Sequence, residues 1–346
     1  MAVSQLQRIY RQALSASIAE LTALEGRIAA RLAAGEPPSI TIITMKSRIE
    51  ANISDIRTRL DQAAESAVNA TKKGQLGAAE LANKLTEPLV QAAAGKPPVA
   101  GLSVNFSSLP DEQLQRFAGF LGDGSPLRDI FDELGTDTAE ALQSALVKSI
   151  SLGENPMSVV AQIKKMALDI TLERVELIAR TEMIRSARAA TTELYKVNPA
   201  VNGYVRMATQ DARVCVACLA LSGTFHATSE IMPSHPNCRC VMIPKTQSWA
   251  EITGDASIPD TRVKPMTGED ILKGLSPGEA ETILGEGRYR LWQEGKPLAD
   301  FATVKDDKNW GPQTRVVPLR DFGIVAKPRR SARDWETIVA NAEMDQ

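Results

Sequence analysis

All four cysteines of this chain, Cys215, Cys218, Cys238 and Cys240, fall in one short stretch, with His235 among them. Cys215-Val216-Ala217-Cys218 has the two-residue gap that lets two thiolates face one ion. About 16 residues on, His235-Pro236-Asn237-Cys238-Arg239-Cys240 offers a second ligand group. Zinc takes four such ligands in a tetrahedron, and a closed set of four is structural. Five donors compete for four places: Cys215 and Cys218 are the firmer pair, and two of His235, Cys238 and Cys240 complete the set. Two other readings stand beside a structural Zn2+. The cysteines are small reduced residues in a tight loop, with His235 bonded to backbone, or they form a disulfide after leaving the cytoplasm. Met1–Tyr10 mixes Ser, Gln and Arg without an apolar core, so no export signal is expected. In a reduced compartment, clustered cysteines are more often metal ligands than disulfides.

The rest of the composition narrows the class. Lys+Arg is 40 and Asp+Glu 42 over 346 residues, a net charge of −2, which argues against a chain that coats nucleic acid over its whole surface. Apolar residues at 43% can build real cores, and aromatics at 4% favour helices over a β-sandwich. No apolar run reaches the roughly 18 residues of a membrane span.

The pattern along the chain predicts a mainly α N-terminal half, a helical hairpin and short helices, followed by a small α+β, cysteine-rich C-terminal module. Leu14, Ile18, Leu21, Ile28 and Leu32 recur at helical spacing until Gly35-Glu36-Pro37-Pro38 stops the helix. Ile49, Ile53, Ile56, Leu60, Ala63 and Ala67 alternate steps of four and three, a seam that packs within the chain or against a partner. Residues 1–98 form this hairpin region. Residues 99–154 are a short-helix region, with starts expected at Ser108-Leu109-Pro110-Asp111, a capping box, and at Ser125-Pro126, a cap before a first-turn Pro. Asp137–Ile150 is one such helix. Residues 155–256 hold a long helix from Pro156 to Tyr195, capped by Asn155, then a strand at Gly203–Thr209, the cysteine loop and a strand at Val241–Pro244. Residues 257–268 read as a linker. Residues 269–346 read as a small α+β region with a helix from Ser276 to Trp292, a strand at Arg315–Leu319 and a basic tail. The charges on the long helix, Arg185 and Arg188 included, read as a solvated face.

Ile178-Ala179-Arg180-Thr181-Glu182, then Asp211-Ala212-Arg213-Val214-Cys215, Leu221-Ser222-Gly223 and Pro233-Ser234-His235-Pro236-Asn237-Cys238-Arg239-Cys240 follow in an order and spacing that resemble the head-morphogenesis domain of phage Mu F-like minor head proteins. Ile283-Leu284-Gly285-Glu286-Gly287-Arg288 is similar to what trails that domain. The resemblance covers Asn155 to Leu319. Pro233-Ser234 departs from a frequent Pro pair before the histidine and leaves the ligand set undisturbed. The resemblance implies a non-enzymatic minor capsid protein, present in few copies in the virion or procapsid and assembled in the bacterial host cytoplasm. Its implied partners are the portal protein, a scaffold or the major capsid protein, and the packaged double-stranded DNA, with no membrane.

Arg180, Thr181, Glu182, Asp211, Arg213 and Arg239 form a structural motif in this reading: an Arg/Glu pair docks the helix on the cysteine module, aided by Asp211 and Arg213. Glu182 as a general acid is the rival, and it lacks a second acid, a nearby histidine or a phosphate loop. Two other functions compete. A zinc-stapled HNH-like nuclease needs a base apart from the structural ligands, and His226 is the histidine left over. A DNA-binding packaging accessory would use Lys327, Arg329, Arg330 and Arg333 on phosphates, with a salt-dependent affinity.

Overall fold

The computed structural model describes residues 2–121, 124–211, 213–307 and 311–324. Helix α1 (Ala2–Ala33) and helix α2 (Pro38–Ala94) form the expected hairpin. The reversal is closed by Gly35 at φ 85° and by the Glu36 amide returning to the Arg31 carbonyl at 3.1 Å. Gly pays no Cβ penalty at that left-handed φ, and Pro38 opens the next helix where no amide hydrogen is needed. Every residue of the Ile49–Ala67 seam is buried. It packs inside the chain, in one core with α1, helix α4 (Arg128–Ser151) and helix α5 (Pro156–Val197). Burying a Leu or Ile side chain contributes about 1.5–3 kcal/mol, so each of Ile49, Ile53, Ile56 and Leu60 adds a sizeable share to the stability of the N-terminal half.

Two helix starts differ from expectation because other contacts hold the backbone beside the expected caps. At Ser108, a four-residue helix α3 (Asp111–Leu114) begins after Pro110 without a side-chain cap. Asn83 of α2 holds both backbone groups of Leu109, each at 3.0 Å, and so sets the chain there. A 3-10 turn, Gln115–Phe117, follows. At Ser125-Pro126, the Ser125 carbonyl accepts from the Leu121 amide and the Leu127 amide bonds Gly119. That small loop closure delays α4 to Arg128. The start at Asn155 is as expected, with its side chain accepting from the Met157 amide at 2.9 Å.

The C-terminal module is built on a three-stranded antiparallel sheet of order β2-β1-β3: β1 (Val201–Met207), β2 (Phe225–His226) and β3 (Val241–Thr246). Helix α6 (Val216–Ala220) sits between β1 and β2, and helix α7 (Trp249–Thr253) follows β3. The Trp249 indole donates to the Gly95 carbonyl, which seats the sheet on the end of α2. The stretch read as a linker is irregular up to helix α8 (Gly268–Lys273), and Arg262 within it donates to the Thr246 carbonyl at 2.6 Å.

The helix expected over Ser276–Trp292 is two, α9 (Pro277–Leu284) and α10 (Glu286–Gln293), parted at Gly285, whose φ of 73° and ψ of 151° leave the helical region. The strand expected at Arg315–Leu319 lies earlier: β5 (Gly311–Val316) pairs with β4 (Ala302–Asp307). Pro318, which lacks an amide hydrogen, ends the pairing, and Leu319 opens a 3-10 turn. Another 3-10 turn, Leu298–Phe301, leads into β4.

Candidate metal centre

Three elements bring the sulfurs together. Cys215 and Cys218 stand at the start and in the body of α6, and Cys238 and Cys240 sit on the approach to β3. His235 lies on a tight turn between them, closed by the Cys238 amide on the His235 carbonyl at 3.0 Å. Asn237 takes φ 61° in that turn, a conformation Asn tolerates better than most residues. The ligating atoms of Cys215, Cys218 and His235 lie within 4.8 Å of one another, as do those of Cys218, Cys238 and Cys240, so Cys218 joins two overlapping triads.

The donor set fits zinc. Cys218 Sγ and Cys238 Sγ are 3.7 Å apart, close to the roughly 3.8 Å between sulfurs of a tetrahedral site with Zn–S near 2.3 Å. His235 Nδ1 donates to the Pro236 carbonyl at 2.8 Å, which turns Nε2 toward Cys218 Sγ at 3.0 Å. A ligating imidazole whose other nitrogen is tied to a carbonyl is the usual outer-shell arrangement. The cysteines are free of disulfides. The Cys215 thiol is pulled down to about 4, first by its hydrogen bond to Cys218. Cys238 is also pulled down, first by Cys218, while Cys218 itself is pushed up. Thiols crowded this closely share protons and carry negative charge among them. Four of Cys215, Cys218, His235, Cys238 and Cys240 are the residues that would hold the ion.

The string on α5 serves this turn in part. Thr181 Oγ1 accepts from the Asn237 amide at 2.8 Å and so fixes the His235–Cys238 turn. Arg180 and Glu182 do not pair with each other. Arg180 bonds Glu176 at 2.6 Å on the half-exposed side. Glu182 is fully buried, 3.2 Å from Arg185 and 3.3 Å from the Gln75 amide of α2. It ties α5 to the bundle rather than to the cysteines. Asp211 takes the Arg239 guanidinium in a two-pronged pair, with Nη2 2.8 Å from Oδ1, and accepts the Arg213 amide at 2.9 Å. The Arg213 side chain is largely exposed. Arg239 holds the Asp211 carboxyl down at about 2.

Arg188, read as part of a solvated face, is a correction. Its Nη2 donates to the carbonyls of Cys238 and Cys240 at 3.0 and 2.7 Å and lies 3.4 Å from Cys238 Sγ. The signal was present: Arg188 lies two helical turns after Thr181, on the same face. Arg206 on β1 was missed altogether. His226 stacks on Tyr204 with ring centroids 5.1 Å apart, and its nitrogens meet Thr224 Oγ1 and Glu230. It belongs to neither sulfur triad. Lys327, Arg329, Arg330 and Arg333 lie outside the described residues.

Residues 140–243 match the family described as Phage Mu protein F like protein. The matched segment runs from within α4 to β3 and contains the whole sulfur cluster with the Thr181 and Arg188 supports, so the similarity to that family covers the candidate site. Residues 244–319, included in the resemblance read from the sequence, fall beyond the match. No curated protein and no solved structure matches the chain.

Proposed function

We propose that this is a phage minor head protein acting in head morphogenesis, with a structural zinc ion as the staple of its Mu F-like domain. The observation that carries the reading is the match over residues 140–243, which takes in the half-buried Cys/His turn that two residues of the long helix α5 hold in place. The bundle would act as a stiff arm and the zinc-stapled module as the part kept in register with it. The portal, a scaffold or the major capsid protein is the expected partner, and the virion, assembled in the host cytoplasm, its location.

A structural role suits the site better than catalysis. A closed four-ligand zinc leaves no position for a substrate or an activated water. Beside the bundle, α5 and the cysteine module line a cavity of about 550 Å³, which among the described residues holds one carboxylate, Glu193, and no histidine. Glu193 is already bonded to Lys196 at 2.5 Å.

The test is genetic and biochemical together. Mature particles should contain the protein, and its deletion should yield defective heads. Particles of normal infectivity that lack the protein would overturn the assignment.

A further inference from the structure

Arg206 is among the largest fully buried side chains of the protein, with 0% exposure. A guanidinium cannot shed its proton to escape that environment, and a buried charge is costly unless paired and hydrogen-bonded. Its partners are unusual. Nη1 donates to the Pro233 carbonyl at 2.7 Å and meets Thr314 Oγ1 at 3.2 Å. Nη2 lies 3.2 Å from Cys218 Sγ and 3.5 Å from Cys240 Sγ. Among the described residues, no carboxylate lies within ion-pair distance of it, and its Nε has no hydrogen-bond partner. The sulfurs are therefore the anions available to balance this cation. Thiolates buried together repel one another, so they too need positive charge.

The two needs meet in a simple charge count. A Zn2+ ion held by three thiolates and an imidazole carries one net negative charge, and with four thiolates it carries two. We infer that Arg206 is the internal counter-ion of the zinc–thiolate cluster, placed by β1 against the sulfurs of Cys218 and Cys240 so that the occupied centre is close to neutral in the core. This rests on the zinc reading proposed above. Arg188 adds a weaker contact from the half-buried side, at 3.4 Å from Cys238 Sγ, but most of its donation goes to two carbonyls. The Thr314 contact gives Arg206 a second role: it links the β4–β5 hairpin to the cluster, across the place where Ser234 pairs with Gln313.

The experiment compares the full chain with Arg206→Met, Arg206→Lys and Thr314→Val. Zinc affinity is read by chelator competition, and the thiolate-to-metal charge-transfer band is read on the Co2+ form. Arg206→Met should bind zinc about 10- to 100-fold more weakly, the usual cost of removing an outer-shell partner. Arg206→Lys, which keeps the charge and loses the fork, should recover much of that affinity and still move the Co2+ band, because a donor to sulfur has changed. Thr314→Val, which leaves the sulfur contacts intact, should leave the band in place. If Arg206→Met does not fold, the Lys variant decides: an unmoved band with unchanged affinity overturns the inference. Equal zinc affinity in wild type and Arg206→Met overturns it while leaving the zinc reading standing. A wild-type chain that takes up no zinc overturns both.

Discussion

Thr181 shows how one hydroxyl can set a cysteine-bearing turn from another element. Its Oγ1 accepts the Asn237 amide and donates to the Leu177 carbonyl, so both ends are used. Thr181→Val keeps the shape and strands a backbone amide, which costs about 1–3 kcal/mol. Denaturant unfolding of the zinc-loaded chain checks it, and an unchanged midpoint would deny Thr181 this role. Asp211 gives a pH-dependent counterpart. Its folded value, about 2, is below the ordinary carboxylate range. The stabilisation from its pairing with Arg239 is therefore present above about pH 4 and is lost as pH falls toward 2. Asp211→Asn should flatten stability over that window, as acid-unfolding curves of the two proteins would reveal. At this scale the sequence was readable for ligands and poor for supports. The five metal-type donors announce themselves by type and spacing. Arg206 did not, because a charged residue in a short strand is ordinarily solvent-facing. The strand is covered on both sides, and Tyr204, Val205 and Arg206 are buried in succession.

At the scale of elements, the heptad-like seam of α2 was legible because apolar spacing alone decides which helix face is buried. Ile56→Ala, at a fully buried seam position, should cost about 2–5 kcal/mol. Ile43→Ala, 66% exposed on the same helix, should fall within about 0.5 kcal/mol of wild type. Thermal or denaturant unfolding of the two variants separates them, and equal losses would mean that the seam is not the buried face. Boundaries were less legible for a physical reason: Ser108 and Ser125 have the chemistry of caps, but Asn83 and Gly119 compete for the same stretches of backbone from distant or returning chain. Gly268 marks another contact that only the fold reveals. A Cβ there would lie 2.0 Å from the Leu219 carbonyl. Gly268→Ala must push α8 away from α6, and faster proteolysis of the C-terminal region is the expected result.

Across the whole molecule, α5 carries the argument from bundle to module. Its first half shares the core of α1, α2 and α4. Its second half presents Thr181 and Arg188 to the cysteine turn, while Glu182 and Ser186 grip Gln75 of α2. A helix that serves both cores makes the position of the cysteine turn depend on the bundle. The five donors gather in two overlapping triads, and the small module around them has the modest core that a structural ion commonly supplements. The most direct test is elemental analysis of the full chain purified without chelator, with the thermal midpoint followed before and after chelation. The account predicts about one zinc per chain and a clear fall in the midpoint when it is removed. A metal-free chain with four readily titrated thiols and an unchanged midpoint would contradict it.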